Sequence, residues 1–156
     1  MKILLLGEYS NVHNTLAMGL RALGHRVTVV SNGDFWKDYP RDIDVSRPIG
    51  RLGGVRLLAK IYALLPRLRG YDVVQFINPI FFELRAERLF YIFRYLKKHN
   101  KKLFLGAFGM DYYWVHTCST TMPLRYSDFN FGTKLRQKEE AVSERKDWIG
   151  TEKERL

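Results

Sequence analysis

Short apolar runs of strand length alternate along the chain with longer stretches in which apolar residues recur every three or four positions. Ile3 to Leu6 is an apolar run that stops at Gly7. Leu16, Ala17, Leu20 and Leu23 then follow at helical spacing up to Gly24, and Val27 to Val30 resumes a β-branched run. A strand, a helix and a second strand of these lengths make a right-handed βαβ unit of a parallel sheet. Its first loop, Gly7-Glu8-Tyr9-Ser10-Asn11-Val12-His13-Asn14, falls at the carboxyl end of the first strand, where open α/β sheets bind ligands.

The pattern repeats further on. Residues 32–48, with Asn32-Gly33-Asp34, Pro40 and Pro48, read as an irregular connection. Leu52 to Leu68 is a helix with Leu57, Leu58, Ile61, Ala63, Leu64, Leu65 and Leu68 apolar, ended or kinked by Pro66. Gly70-Tyr71-Asp72 turns into the strand Val73–Ile77, which stops at Asn78-Pro79. Residues 83–99 form another amphipathic helix closed by Asn100, and Leu103 to Ala107 is the next strand. The order predicts a doubly wound, mainly parallel, Rossmann-like sheet in three α/β/α layers, with at least four strands, as a single domain over residues 1–132. Residues 109–132, an aromatic loop, break the periodicity, and residues 133–156 are predicted to be a charged helical tail.

Composition narrows the class. With 46% apolar and 27% charged residues, the chain fits a folded globular domain better than a disordered one. A single cysteine, Cys118, excludes an internal disulfide and any CxxC metal site, and no metal site is expected. The first apolar run is too short for a signal peptide, and no stretch reaches the roughly 18 apolar residues of a spanning helix. These features predict a cytoplasmic protein. The net charge of +10 is uneven: residues 51–102 hold 12 Lys and Arg against 3 Asp and Glu. That excess suits helices that cover the sheet with a solvated outer side; with Tyr62, Phe90, Tyr91 and Tyr95 nearby it also fits peripheral contact with an anionic membrane surface, for which Arg51, Arg56, Lys60, Arg67 and Arg69 are the candidates. Nucleic acid, the competing anion, has no recognition signature here.

The candidate chemistry lies at the strand ends. Gly7 permits a tight turn, and Ser10, Asn11 and Asn14 precede a helix whose amino end offers N–H groups to an anion. His13 is a candidate base or hydrogen-bonding group there. The same residues suit a simpler role, with Asn11 or Asn14 capping the helix and His13 on the surface. The loop is neither GxGxxG nor GxxxxGK[ST], so dinucleotide and P-loop binding are unsupported and no cofactor is expected. Asn78-Pro79 and Gly109-Met110-Asp111 end two further strands at the same edge, where Asn11, His13, Asn78 and Asp111 would converge.

The segment GEYSNVHNTLAMGLRALGHRVTVVSNG, with its Leu20-Arg21-Ala22-Leu23-Gly24-His25-Arg26-Val27 ending, resembles the opening of GT-B-fold glycosyltransferases, especially the retaining family 4 group. Tyr71-Asp72-Val73-Val74-Gln75-Phe76 is similar to that family's YDVVH strand, with Gln75 in place of His. Phe108-Gly109-Met110-Asp111 is similar to its HGxD segment, with Phe108 in place of His. The resemblance covers residues 1–111 and implies an amino-terminal, acceptor-binding half. A missing carboxyl-terminal half would hold the nucleotide-sugar co-substrate and the EX7E carboxylates, leaving this part inactive alone. It also implies that Gly7 and the amino end of the first helix lie near the donor diphosphate. Ser10, Asn11, His13, Asn78, Gly109 and Asp111 would bind a glycan or lipid-linked acceptor, with His13 and Asp111 the catalytic candidates. The aromatic loop, with Tyr112, Tyr113, Trp114, Tyr126, Phe129 and Phe131, would stack on sugar or lipid. The alternative is a stand-alone ligand-binding or regulatory α/β domain of flavodoxin or receiver type.

Overall fold

A computed structural model describes residues 1–84, 86–106, 108, 116–118, 120, 121, 125–127 and 129–135. The chain divides into two compact units, Met1–Ala107 and Phe108–Leu156.

The first unit is built on five parallel strands: β1 (Lys2–Leu6), β2 (Arg26–Ser31), β3 (Ile43–Asp44), β4 (Val73–Phe76) and β5 (Lys102–Leu105). They lie side by side in the order β3-β2-β1-β4-β5. In β1, four successive residues from Ile3 to Leu6 are buried, as a central strand covered on both faces requires. Ile3 and Leu5 pack with Ala17 of α1 (Val12–Ala22) and with Val29. Leu4 and Leu6 face the other way, into the main core with Leu57 and Ile61 of α2 (Gly53–Leu64) and Leu89, Ile92 and Leu96 of α3 (Ala86–His99). The result is a three-layer, Rossmann-like α/β fold with α1 on one face and α2 and α3 on the other.

Element ends follow local chemistry. Gly24 takes φ 79° at the end of α1, and its N–H donates to the Arg21 carbonyl at 2.9 Å. Pro66 ends α2 and leaves a 3₁₀ turn at Leu65–Arg67. Asn100 stops α3, donating from Nδ2 to the carbonyls of Leu96 and Leu68 while its Oδ1 accepts the Tyr71 N–H.

One strand escaped the sequence pattern. β3 has two residues and lies in the stretch expected to be irregular. It exists because Val30 and Ser31 of β2 pair with Ile43 and Asp44. In the second unit Asn130–Phe131 (β6) and Lys134–Leu135 (β7) pair antiparallel, so the start of the expected helical tail is a hairpin. Residues 136–156 of that tail lie outside the described residues.

Gly7 is a tightly packed position in the first unit. Its φ is +83°, and a Cβ there would lie 2.3 Å from Ile77 Cγ2 and 3.0 Å from the Phe81 carbonyl oxygen. Gly7→Ala is expected to lose about 2–4 kcal/mol of stability, from overpacking and a left-handed backbone together, as read by urea unfolding. A loss under about 1 kcal/mol would mean that β1 and β4 can separate freely at this point.

Candidate functional site

β1 and β4 deliver their next residues side by side at the carboxyl edge of the sheet. Leu6 pairs with Phe76, and the Ile77 N–H donates to the Leu6 carbonyl at 2.8 Å. From here β1 continues to α1 on one face and β4 to α3 on the other. A strand order that reverses in this way leaves a crevice at the switch point, the usual ligand position in open α/β sheets.

The loop after β1 is shaped by two left-handed residues, Ser10 (φ 48°) and Asn11 (φ 68°). They turn the chain so that the Glu8 carboxylate reaches over the amino end of α1. Oε1 accepts the His13 N–H at 3.1 Å and Oε2 accepts the Asn14 N–H at 2.8 Å. The Val12 N–H donates to the Tyr9 carbonyl at 2.9 Å and the Thr15 N–H to the Asn11 carbonyl at 3.0 Å. All four amides of the first turn are therefore engaged, and an internal anion sits at the positive end of the helix dipole. This overturns the expectation that the α1 amino end is free for a diphosphate. Gly7 is likewise engaged: its N–H donates to the Val30 carbonyl at 2.9 Å and its carbonyl accepts from His13. Asn11 stands at the N-cap without capping; its Oδ1 accepts from Asn14 Nδ2 at 2.8 Å.

Glu8 is buried, and burial pushes its carboxyl pKa up. The amides of Asn14, His13 and Tyr9 pull the other way, while nearby Asp34 adds to the rise. Asp34 ties the loop after β2 to the loop after β1. Its Oδ2 accepts the exposed Ser10's N–H at 2.9 Å and pairs with Lys37 Nζ at 2.7 Å. Asn32 Nδ2 donates to Glu83 Oε1, linking the end of β2 to the segment beyond β4.

His13 is fully buried, not on the surface as one sequence reading had it. Its Nδ1 lies 2.7 Å from the Gly7 carbonyl oxygen, which can only accept. Burial lowers the imidazole pKa from 6.5 to about 4, so the ring is neutral and its one proton is on Nδ1. Nε2 is then a bare acceptor. It is buried without a hydrogen-bond partner, and so are both amide atoms of Asn78, itself 0% exposed. Groups of this kind are expensive to leave unpaired in a folded interior. Together they offer two acceptors and one donor, and no charge.

The structure thus brings Gly7, Ser10, Asn11, His13 and Asn78 to one edge, with different roles. Gly7 and Asn11 serve the loop itself, and His13 and Asn78 hold unspent hydrogen-bonding capacity. Gly109 and Asp111 lie outside the described residues, as do Tyr112, Tyr113 and Trp114. In the second unit the exposed Tyr126 and Phe131 rings lie 4.8 Å apart. Arg51, Arg56, Lys60, Arg67 and Arg69 are all exposed, on α2 and its flanks. Sequence reasoning missed Glu8 as the helix cap and Asp34 as the brace. Both contacts depend on left-handed turns at Ser10, Asn11 and Asp34, which spacing does not reveal.

His13 gives the fold a pH signature. Between pH 6.5 and 4 the unfolded chain binds a proton that the folded ring refuses, so this residue's contribution falls as pH falls. Glu8, with a raised pKa, acts in the opposite sense, its contribution falling as pH rises above 4.5. Wild type and His13→Gln, which retains a donor for Gly7, isolate the first effect. Between pH 7 and 4.5, wild type should lose about 2 kcal/mol more than the variant in urea unfolding. Parallel pH profiles would show that the ring is not held neutral.

Compared with protein-family models, with curated proteins and with solved structures, the chain has no match in any of the three.

Proposed function

We propose that this chain is the acceptor-binding half of a glycosyltransferase, and that the crevice between β1 and β4 holds a neutral, hydroxyl-bearing acceptor such as a glycan or the sugar of a lipid-linked glycan. The observation that carries this reading is the buried, unpartnered set of His13 Nε2 and the Asn78 amide at the switch point. A sugar hydroxyl can donate to Nε2, and a neighbouring oxygen can accept from Asn78 Nδ2 while a second hydroxyl donates to its Oδ1. The diphosphate of a sugar nucleotide, esterified at both ends, has no proton to give Nε2 at neutral pH, and Glu8 repels it from the helix end. The sugar nucleotide would therefore bind mainly to a second α/β half, facing this edge across a cleft. Within such an assembly His13 would accept and orient an acceptor hydroxyl. A pKa near 4 makes it a weak base, so it acts by positioning unless closure of the cleft changes its surroundings.

The chemistry makes a direct test available. Titration of labelled protein with methyl glycosides, N-acetylglucosamine and UDP should move the Asn78 side-chain amide and the His13 imidazole signals with at least one sugar. UDP should leave the Val12–Asn14 amides in place. His13→Ala and Asn78→Ala should each weaken sugar binding about tenfold or more, the scale of one buried hydrogen bond. Shifts of the helix amides with UDP, and none with any sugar, would overturn the assignment.

A further inference from the structure

The α2 helix has two apolar faces, and only one is used by the fold. Gly53, Leu57 and Ile61 are buried, followed by Leu65 and Leu68 beyond the helix end. On the opposite side Leu52, Val55, Ala59 and Tyr62 recur at spacings of three, four and three, and all are exposed. Leu52 is 60% exposed, Val55 64% and Tyr62 44%, and Ile49 just ahead of the helix is 99% exposed. Arg51 stands on one side of this stripe and Arg56, Lys60 and Arg67 on the other. From Val45 to Tyr71 there are six basic residues and no acidic one. Lys60 reaches Asp44 at 3.6 Å; that is the only acidic partner of these six among the described residues.

We propose that this outer face of α2 is a seat for an anionic lipid bilayer, with the helix lying in the plane of the interface. Leu52, Val55, Tyr62 and Ile49 would enter the headgroup boundary while Arg51, Arg56 and Arg67 contact lipid phosphates. An apolar stripe bordered by cations and free of carboxylates matches that surface in both polarity and charge. Tyr62 has the amphipathic ring that suits such a boundary. A polyanion such as RNA would use the arginines and leave the aliphatic stripe without a partner. An acidic protein is less well matched, because the stripe is narrow and a long apolar row separates Arg51 from Arg56, Lys60 and Arg67.

The fold adds a geometric consequence. β3 ends at the carboxyl edge of the sheet and β4 starts at the opposite edge, so α2 begins at the edge that carries His13 and Asn78. Ile49, Arg51 and Leu52 are therefore at the membrane-facing corner of the ligand edge. The seat itself does not depend on what that edge binds.

Sedimentation with vesicles tests it on the full chain. Vesicles of phosphatidylcholine with about a quarter phosphatidylglycerol should carry the protein down, and pure phosphatidylcholine should carry far less. Raising the salt should weaken the binding without abolishing it, since the apolar stripe is not screened. Leu52→Ser with Val55→Ser, and separately Arg51→Gln with Arg56→Gln, should each lower the partition coefficient about tenfold or more. These side chains are exposed, so the urea midpoint should stay near wild type, which separates lost docking from lost folding. No binding to the anionic vesicles would overturn the seat, as would binding lost with the arginines yet indifferent to Leu52 and Val55.

Discussion

Gly7 runs so close to Ile77 and the Phe81 carbonyl that no side chain fits between them, and the carboxyl edge of the sheet is organised around that passage. Because the backbone of β1 ends there without a Cβ, its carbonyl stays open to the His13 ring, which closes on it from the first turn of α1. The same passage holds the first residues beyond β1 and β4 in neighbouring positions at the switch point. A side chain at position 7 would push the two strand ends apart, and with them the histidine and the asparagine.

Glu8 then sets the electrostatics of that edge. A helix amino end is ordinarily an anion site, and a loop opening on glycine invites the assumption that a phosphate lies there. Here the anion belongs to the protein. The carboxylate takes two amides of α1, is desolvated in doing so, and is kept from rising further by those amides. The buried groups left without a partner there are uncharged: one imidazole acceptor with its tautomer set by Gly7, and one primary amide. The polarity of this edge follows from the loop's own hydrogen bonding.

α2 shows how one helix can meet two surroundings. Its inner residues are aliphatic and fill the core beneath β1 and β4, so the fold needs nothing from its outer face. Apolar residues on that outer face have no partner within the fold among the described residues, and they are bordered by arginines. Since α2 starts at the ligand edge, a surface that receives the helix also lies close to whatever that edge binds.

Much of this was legible in the residues alone. The run Ile3–Leu6, the helical spacing of Leu16 to Leu23 and the run Val27–Val30 specify a βαβ unit, because side-chain period and burial are local properties of a strand or helix. Pro66 and Asn100 mark their helix ends for equally local reasons. The doubly wound class follows from repeating such units, and so does the edge on which His13 and Asn78 must lie. The rest was decided by contacts between residues far apart in the chain. β3 is two residues long and exists only through its pairing with β2. Glu8 caps α1 only because Ser10 and Asn11 adopt left-handed angles, and Ser10 is held there by Asp34 from the next loop. The burial of His13, which makes it neutral, comes from packing that no periodicity records. Sequence determined the layers and the edge, since both depend on nearest neighbours along the chain; tertiary structure decided the charge, tautomer and free capacity of the groups at that edge, since each depends on which atoms exclude water.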